Sequence, residues 1–318
     1  MIRLETLRTL TDSNKGYLIG LLSAVFFSTS AIFIRFLTLE TGMPALVLAY
    51  WREVVVVVVL FFYLVFFRRQ WLAGIGPHIP FLASFGCIIA IHNAVWTLSL
   101  TINGASVATA LAYVSPAFTV VLSYFLLHEA LTATKVTAVV MCVLGSSLLM
   151  DMLNPQSWEL NTPSILAGLF TGLLHAFYTL MARKASQKGV NPWTTLFVSF
   201  GFASIIMLAM NLAIGRVLPG GASSAKDMLW LGRDWAAWAM LVILIGLPTV
   251  VGWGSYNVSL KLLPGSIANL IITVEPVITA VVAYFFLHEV LTGIQVLGSL
   301  LILTGVIIMR LRSSELPE

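Results

Sequence analysis

Residues 99–132 read SLTINGASVATALAYVSPAFTVVLSYFLLHEALT, and residues 259–292 read SLKLLPGSIANLIITVEPVITAVVAYFFLHEVLT. Laid over each other without a gap, 160 positions apart, they agree at about 15 of 34 positions. The matches include Ser99 with Ser259, Ser106 with Ser266, Pro116 with Pro276, Tyr124 with Tyr284 and His128-Glu129 with His288-Glu289. Shared hydrophobicity would match apolar letters, but not prolines, histidines and glutamates in register. The chain therefore holds two copies of one unit.

The 318 residues around this repeat are 59% apolar and 9% charged, with a mean hydropathy of +0.98. A soluble domain is about half apolar and a quarter charged, so lipid is the solvent for most of this surface. The expected fold class is an all-α integral membrane protein. Apolar runs broken by Gly, Pro, Asn and charges give ten transmembrane helices, near 17–38, 44–67, 80–101, 104–127, 134–151, 163–183, 192–214, 235–260, 264–287 and 293–311. The valine run Val54 to Val59 favours a strand in water, but an open strand in lipid leaves unpaired backbone, so a helix is expected. Ile102-Asn103-Gly104 is expected to link two antiparallel neighbours. The loop 215–234, with Pro219-Gly220-Gly221-Ala222-Ser223-Ser224, reads as flexible.

Cations order the chain across the bilayer. With the N-terminus inside, about 12 Lys and Arg fall on inner segments, whereas the outer loops hold Arg216, Lys226 and Arg233. Both termini are expected in the cytoplasm and 215–234 outside. The organisation is then a cytoplasmic segment over 1–16, a five-helix repeat over 17–151, an external linker over 152–162, a second five-helix repeat over 163–311 and a cytoplasmic tail over 312–318. Five spans separate the copies, so the repeat is inverted. Arg3, Arg8 and Lys15 precede an apolar stretch of about 20 residues with no small-x-small site, which reads as a first span and not a signal peptide. Cys87 and Cys142 lie in apolar stretches and make no disulfide framework. No Walker loop, dinucleotide fingerprint, metal-ligand cluster or nucleic-acid patch is present, so no cofactor and no metal are expected.

The paired signature, a helical proline followed by Leu-x-Glu-x-Leu-Thr at Leu127 to Thr132 and Leu287 to Thr292, resembles the EamA-type transporters of the drug/metabolite transporter superfamily. The resemblance spans about 17–311. It implies ten helices in two five-helix inverted repeats, alternating access, and export of amino acids or other small metabolites across a bacterial inner membrane. The implied partners are a small-molecule substrate, the lipid bilayer and protons, in a monomer or weak homodimer. In the first copy Ser115 stands where the pattern carries an acid, which leaves Glu275 unmatched. A membrane-embedded enzyme and a flippase for lipids or lipid-linked metabolites are the competing classes.

Glu275 lies about 11 residues into its span, roughly 16 Å deep, where an acid either couples a proton to transport or is structurally satisfied. Arg52, at similar depth, either holds a substrate carboxylate or forms a charge pair with Glu275 or Glu53. Arg35 is nearer the outer interface and reads as a snorkelling cation. His92, Trp96 and Ser99 share one helix face, and the repeat pairs Trp96 with Tyr256 and Asn93 with Trp253. His175 and Tyr178 lie at similar depth; Trp253 and Asn257 share a face, and Tyr113 adds a polar aromatic. These nine, His92, Asn93, Trp96, Tyr113, His175, Tyr178, Trp253, Tyr256 and Asn257, are the substrate-binding candidates, set against aromatic-belt and interhelical hydrogen-bond roles. Pro116 and Pro276 are candidate hinges or static bends. His128-Glu129 and His288-Glu289 read as turn and capping residues before Thr132 and Thr292. Gly16-x3-Gly20 and Gly168-x3-Gly172 read as close-packing sites.

Overall fold

A computed structural model describes residues 2–149, 162–287 and 292–313, and among them all regular structure is helical. The elements are α1 (Ile2–Thr41), α2 (Ala45–Phe67), α3 (Ile79–Ala112), α4 (Ser115–Leu126), α5 (Ala133–Leu149), α6 (Thr162–Gln187), α7 (Pro192–Ile214), α8 (Trp235–Met240), α9 (Leu247–Leu262), α10 (Gly265–Ile272), α11 (Glu275–Leu287) and α12 (Gly293–Ser313). Among the described residues six stretches are long and apolar enough to cross a membrane, and Ser115–Leu126, Ala133–Leu149 and Gly265–Thr279 are shorter apolar helices. The outer surface carries bare apolar side chains such as Phe62, Phe66, Ile205 and Leu300, as lipid-facing helices require. The chain is an integral, multi-pass membrane protein. The valine run lies within α2, where composition overrides strand propensity. The expected linker over 152–162 falls, but for Thr162, outside the described residues, as do His288 and Glu289.

Three local differences from expectation have physical causes. Helical structure runs unbroken through Ile102-Asn103-Gly104 in α3. Asn and Gly each cost a helix only about 1 kcal/mol, less than exposing backbone to lipid. Pro116 and Pro276 do not bend continuous helices: α3 ends at Ala112 and α4 starts at Ser115, while α10 ends at Ile272 and α11 starts at Glu275. Each proline thus sits in a first turn, where its missing N–H leaves no bond unmade. The loop 215–234 is pinned, not loose. The Leu46 amide donates to the Gly220 carbonyl at 2.8 Å, the Ala222 amide to Asn211 Oδ1 at 3.2 Å, and Asp227 accepts from the amides of Ser223 and Ser224.

Helix packing follows the small residues. α1 packs on α9 with Gly16 against Leu263 and Gly20 against Ser259, and α6 packs on α3 with Gly168 and Gly172 against Leu111 and Ala112. α8 runs into α9 through a π-helical turn at Leu241–Gly246, where Pro248 withholds the amide that would close an ordinary turn.

The seam between α5 and α12 displays the repeat directly. A Cβ on Gly145 would lie 2.6 Å from the Gly298 carbonyl oxygen, and one on Gly305 would lie 2.9 Å from the Ala138 carbonyl oxygen. A shift of 160 takes Gly145 to Gly305 and Gly298 back to Ala138, so these are one contact seen twice. Midway, the Cys142 thiol lies 3.7 Å from the Ile302 carbonyl oxygen, a pair the shift maps onto itself. At the far end Gln295 donates to the Leu149 carbonyl, so the two helices are antiparallel. The local two-fold axis therefore crosses them at right angles.

This seam tolerates no added carbon. Gly145→Ala should lower stability by about 1–3 kcal/mol despite alanine's better helix propensity, because backbone lies opposite. Gly201→Ala, which meets nothing within 4 Å, should stay within about 0.5 kcal/mol. Thermal unfolding in detergent compares them, and equal loss at both positions would contradict the packing described.

Candidate functional site

Three helices bring the polar aromatics together: α3 supplies His92, α6 supplies His175 and Tyr178, and α9 supplies Trp253, Tyr256 and Asn257. The i, i+4 spacing of Trp253 and Asn257 sets both on one face of α9. The His92 and His175 rings are 5.5 Å apart between centroids, Tyr178 and Trp253 are 4.3 Å apart, and His175 lies 5.7 Å from Trp253 and 5.9 Å from Tyr256. Phe27 of α1 meets Trp253 edge-on at 4.9 Å, and Phe85 meets Tyr178 at the same distance. The Tyr178 hydroxyl donates to Asn257 Oδ1 at 2.9 Å, and the Tyr256 hydroxyl shares a 2.7 Å hydrogen bond with Thr179. His175 Nε2 and Asn257 Nδ2 are buried and have no partner among the described residues. His175 itself is half-buried.

Behind His92 lies a buried charge network. Arg52 and Glu53 are consecutive on α2, and one amide serves both. Asn93 Oδ1 accepts from Arg52 Nη2 at 3.0 Å, while Asn93 Nδ2 donates to Glu53 Oε1 at 2.7 Å. The same Oδ1 lies 3.3 Å from His92 Nδ1, which joins the network to the ring cluster. Arg52 Nε and Glu53 Oε2 remain without partners among the described residues. A cation and an anion bridged by a neutral amide leave the site without net charge, which is what a low-dielectric interior allows.

A second polar group forms at the helix breaks. Tyr113 lies in the turn between α3 and α4, with its hydroxyl beside the half-buried Glu275 at the start of α11. A carboxylate in a first turn also faces the favourable end of the helix dipole. Ser115, the repeat counterpart of Glu275, donates to Asn269 Oδ1 at 3.4 Å, and Asn269 Nδ2 bonds Thr119.

Of the nine substrate-binding candidates, His92, His175, Tyr178, Trp253, Tyr256 and Asn257 form one cluster, and Asn93 joins it through His92. Trp96 is half-buried and makes no ring contact with the cluster among the described residues, and Tyr113 belongs to the Glu275 group. Arg52 and Glu275, named together as a charge pair, make no ion pair with each other: Arg52 reaches Asn93 with Glu53 as its charged neighbour, and Glu275 reaches Tyr113. The Arg35 side chain lies outside the described ones. Phe27, Thr179, Thr119 and Asn269 were not anticipated. Asn269 alone had a signal, as a lone amide within an apolar run. Among the described residues no three His, Cys, Asp or Glu are grouped to hold a metal.

Comparison with known proteins is consistent with this architecture. The EamA-like transporter family matches the chain twice, over residues 14–150 and 162–311. An uncharacterized transporter of Archaeoglobus fulgidus is 28% identical over 64% of this chain and 66% of its own length, just under two thirds. One from Clostridium kluyveri is 22% identical over 92% of each chain, and an uncharacterized inner membrane transporter of Salmonella typhimurium is 27% identical over 68% of each. A protein of known crystal structure superposes with a TM-score of 0.71 at 18% identity, covering 95% of this chain and 99% of that one, which shows a shared fold.

The Asn93 bridge makes a stability prediction. Asn93→Leu strands both charges and should cost on the order of 3–5 kcal/mol. Adding Arg52→Gln and Glu53→Gln to that variant removes the stranded charges and should recover a large part of the loss. Unfolding midpoints in detergent decide, and a wild-type midpoint for Asn93→Leu would show that the bridge does not hold the charges.

Proposed function

This chain belongs to the EamA-like transporter family, and from that premise we propose that it is a secondary transporter for a small organic metabolite, an amino acid or related compound, exported by alternating access. The family and its named relatives are transporters and not enzymes. The proposed architecture is ten membrane helices in two five-helix inverted repeats, over 17–151 and 163–311, with both termini in the cytoplasm of a bacterial cell. The double family match and the antiparallel, self-mapping seam of α5 with α12 support it. Inverted repeats let two similar halves exchange shapes about a central site.

The observation that carries the substrate site is the ring cluster with its two unsatisfied atoms. His175 Nε2 and Asn257 Nδ2 are costly to bury unpaired in a membrane interior. A solute with one or two polar groups and an apolar body would satisfy them while stacking on Trp253, Tyr178 and Tyr256. Trp96 and Tyr256 are the proposed outer and inner gates, and the breaks before Pro116 and Pro276 the proposed hinges. Glu275 is the proposed proton carrier, at the start of a half-helix of the kind that lines transporter sites.

The reading is tested by counterflow in proteoliposomes over a panel of amino acids and small metabolites, with and without a pH gradient. Saturable exchange of at least one panel solute, lost with Trp253→Ala, is expected; no exchange by well-folded protein would overturn it. Glu275→Gln should abolish gradient-driven accumulation and leave exchange intact, and full accumulation by that variant would remove Glu275 from coupling. For orientation, single cysteines at Ser224 and Ser313 in a cysteine-free background should react with an impermeant reagent from outside and inside respectively. The opposite pattern would invert the topology.

A further inference from the structure

Glu129 does not cap its own helix. His128 takes a left-handed φ of 55°, which ends α4 and turns the Glu129 side chain toward a segment 136 residues away. There Oε1 accepts from the Gly265 amide at 2.7 Å, and Oε2 accepts from the Ser266 amide at 3.3 Å and the Ser266 hydroxyl at 2.5 Å. Lys135 Nζ stands 3.5 Å from Oε2, and the two side chains are only 12% and 8% exposed. Gly265 and Ser266 open α10, so their amides have no partner within that helix and face its positive end. Arg183 of α6 donates to the carbonyls of Leu260 and Lys261 in the last turn of α9. The break between α9 and α10 at Leu263-Pro264 is thus held on its amide side by an anion from the other sequence copy.

The repeat makes this contact one-sided. Gly265 and Ser266 correspond to Ala105 and Ser106, which lie inside the unbroken α3, where their amides are spent on the helical ladder. Segments with the same ancestry therefore adopt two conformations, broken and capped in one copy, continuous in the other. The contact at the broken copy consists of a few charge-assisted hydrogen bonds, strong when made and separable as a unit.

We propose that Glu129 is a latch: its bonds to Gly265 and Ser266 shut one end of the transport path, and their release opens that end. The proposal rests on the alternating-access reading. Ser123 provides a reporter, because it is fully buried just inside the latch, its hydroxyl 3.7 Å from where a Gly265 Cβ would sit. Ser123→Cys, in a Cys87→Ser, Cys142→Ala background, is treated in detergent with a water-soluble methanethiosulfonate. Adding Glu129→Ala should raise its modification rate about tenfold or more, as expected for loss of a charged acceptor from several donors, with Glu129→Gln intermediate. Equal rates in all three proteins would overturn the latch. If Glu129→Ala misfolds by size exclusion, Glu129→Gln against the parent decides alone. Labelling needs no transported solute, so the two failures are distinct: equal labelling overturns the latch and leaves the transport reading untouched, whereas a failed solute panel removes the transport path while a labelling difference still reports the contact.

Discussion

The hydrocarbon core of a bilayer offers no hydrogen-bond partner, and this organises the molecule. Backbone groups must pair within their own segment, which turns even a run of six valines into helix. Where the helical ladder does stop inside the apolar region, at Val114 and at Thr273-Val274, the breaks fall beside polar side chains, with Tyr113, Ser115, Asn269 and Glu275 gathered around them. The same rule governs charge. Arg52 and Glu53 are both deeply buried, and a single amide, Asn93, answers one from its oxygen and the other from its nitrogen.

Two copies of one sequence can obey this rule in different ways. At the seam of α5 and α12 they behave alike, with glycine facing backbone on either side of the Cys142 and Ile302 pair. In the interior they diverge. Asn93 bridges two charges, whereas its counterpart Trp253 packs at a tilt against Tyr178. Glu275 meets Tyr113, whereas its counterpart Ser115 meets Asn269. Shared seams with unlike interiors suit a device whose halves must match in shape while its site recognises an unsymmetrical solute.

Composition and register act over tens of residues, which is why the helical class, the membrane setting and the repeat could be read from letters alone. Periodicity also placed Trp253 and Asn257 on one face. It could not say that Asn93 reaches Arg52 and Glu53 across 40 residues, or that Glu275 turns to Tyr113 and not to Arg52, because equal depth does not fix which helices are neighbours. Its place before Thr132 makes Glu129 a cap for its own turn, yet its donors come from α10. The glycines and serines of the loop after α7 predict looseness, but Asn211, buried below it, holds Ala222 in place. The partners of Asn93, Glu275 and Glu129 all lie far along the chain, whereas the loop is held by an amide only 11 residues from Ala222.

The bilayer turns the usual arrangement outward: the exposed apolar flank meets lipid, and in the proposed function the buried polar cluster meets water and solute. Ile205 is 65% exposed in mid-α7, while His175 is half-buried in the ring cluster. Single cysteines at these two positions, in membrane vesicles and a cysteine-free background, can be compared for reaction with a water-soluble thiol reagent. His175→Cys should react and Ile205→Cys should not. Reaction at Ile205→Cys with none at His175→Cys would contradict it.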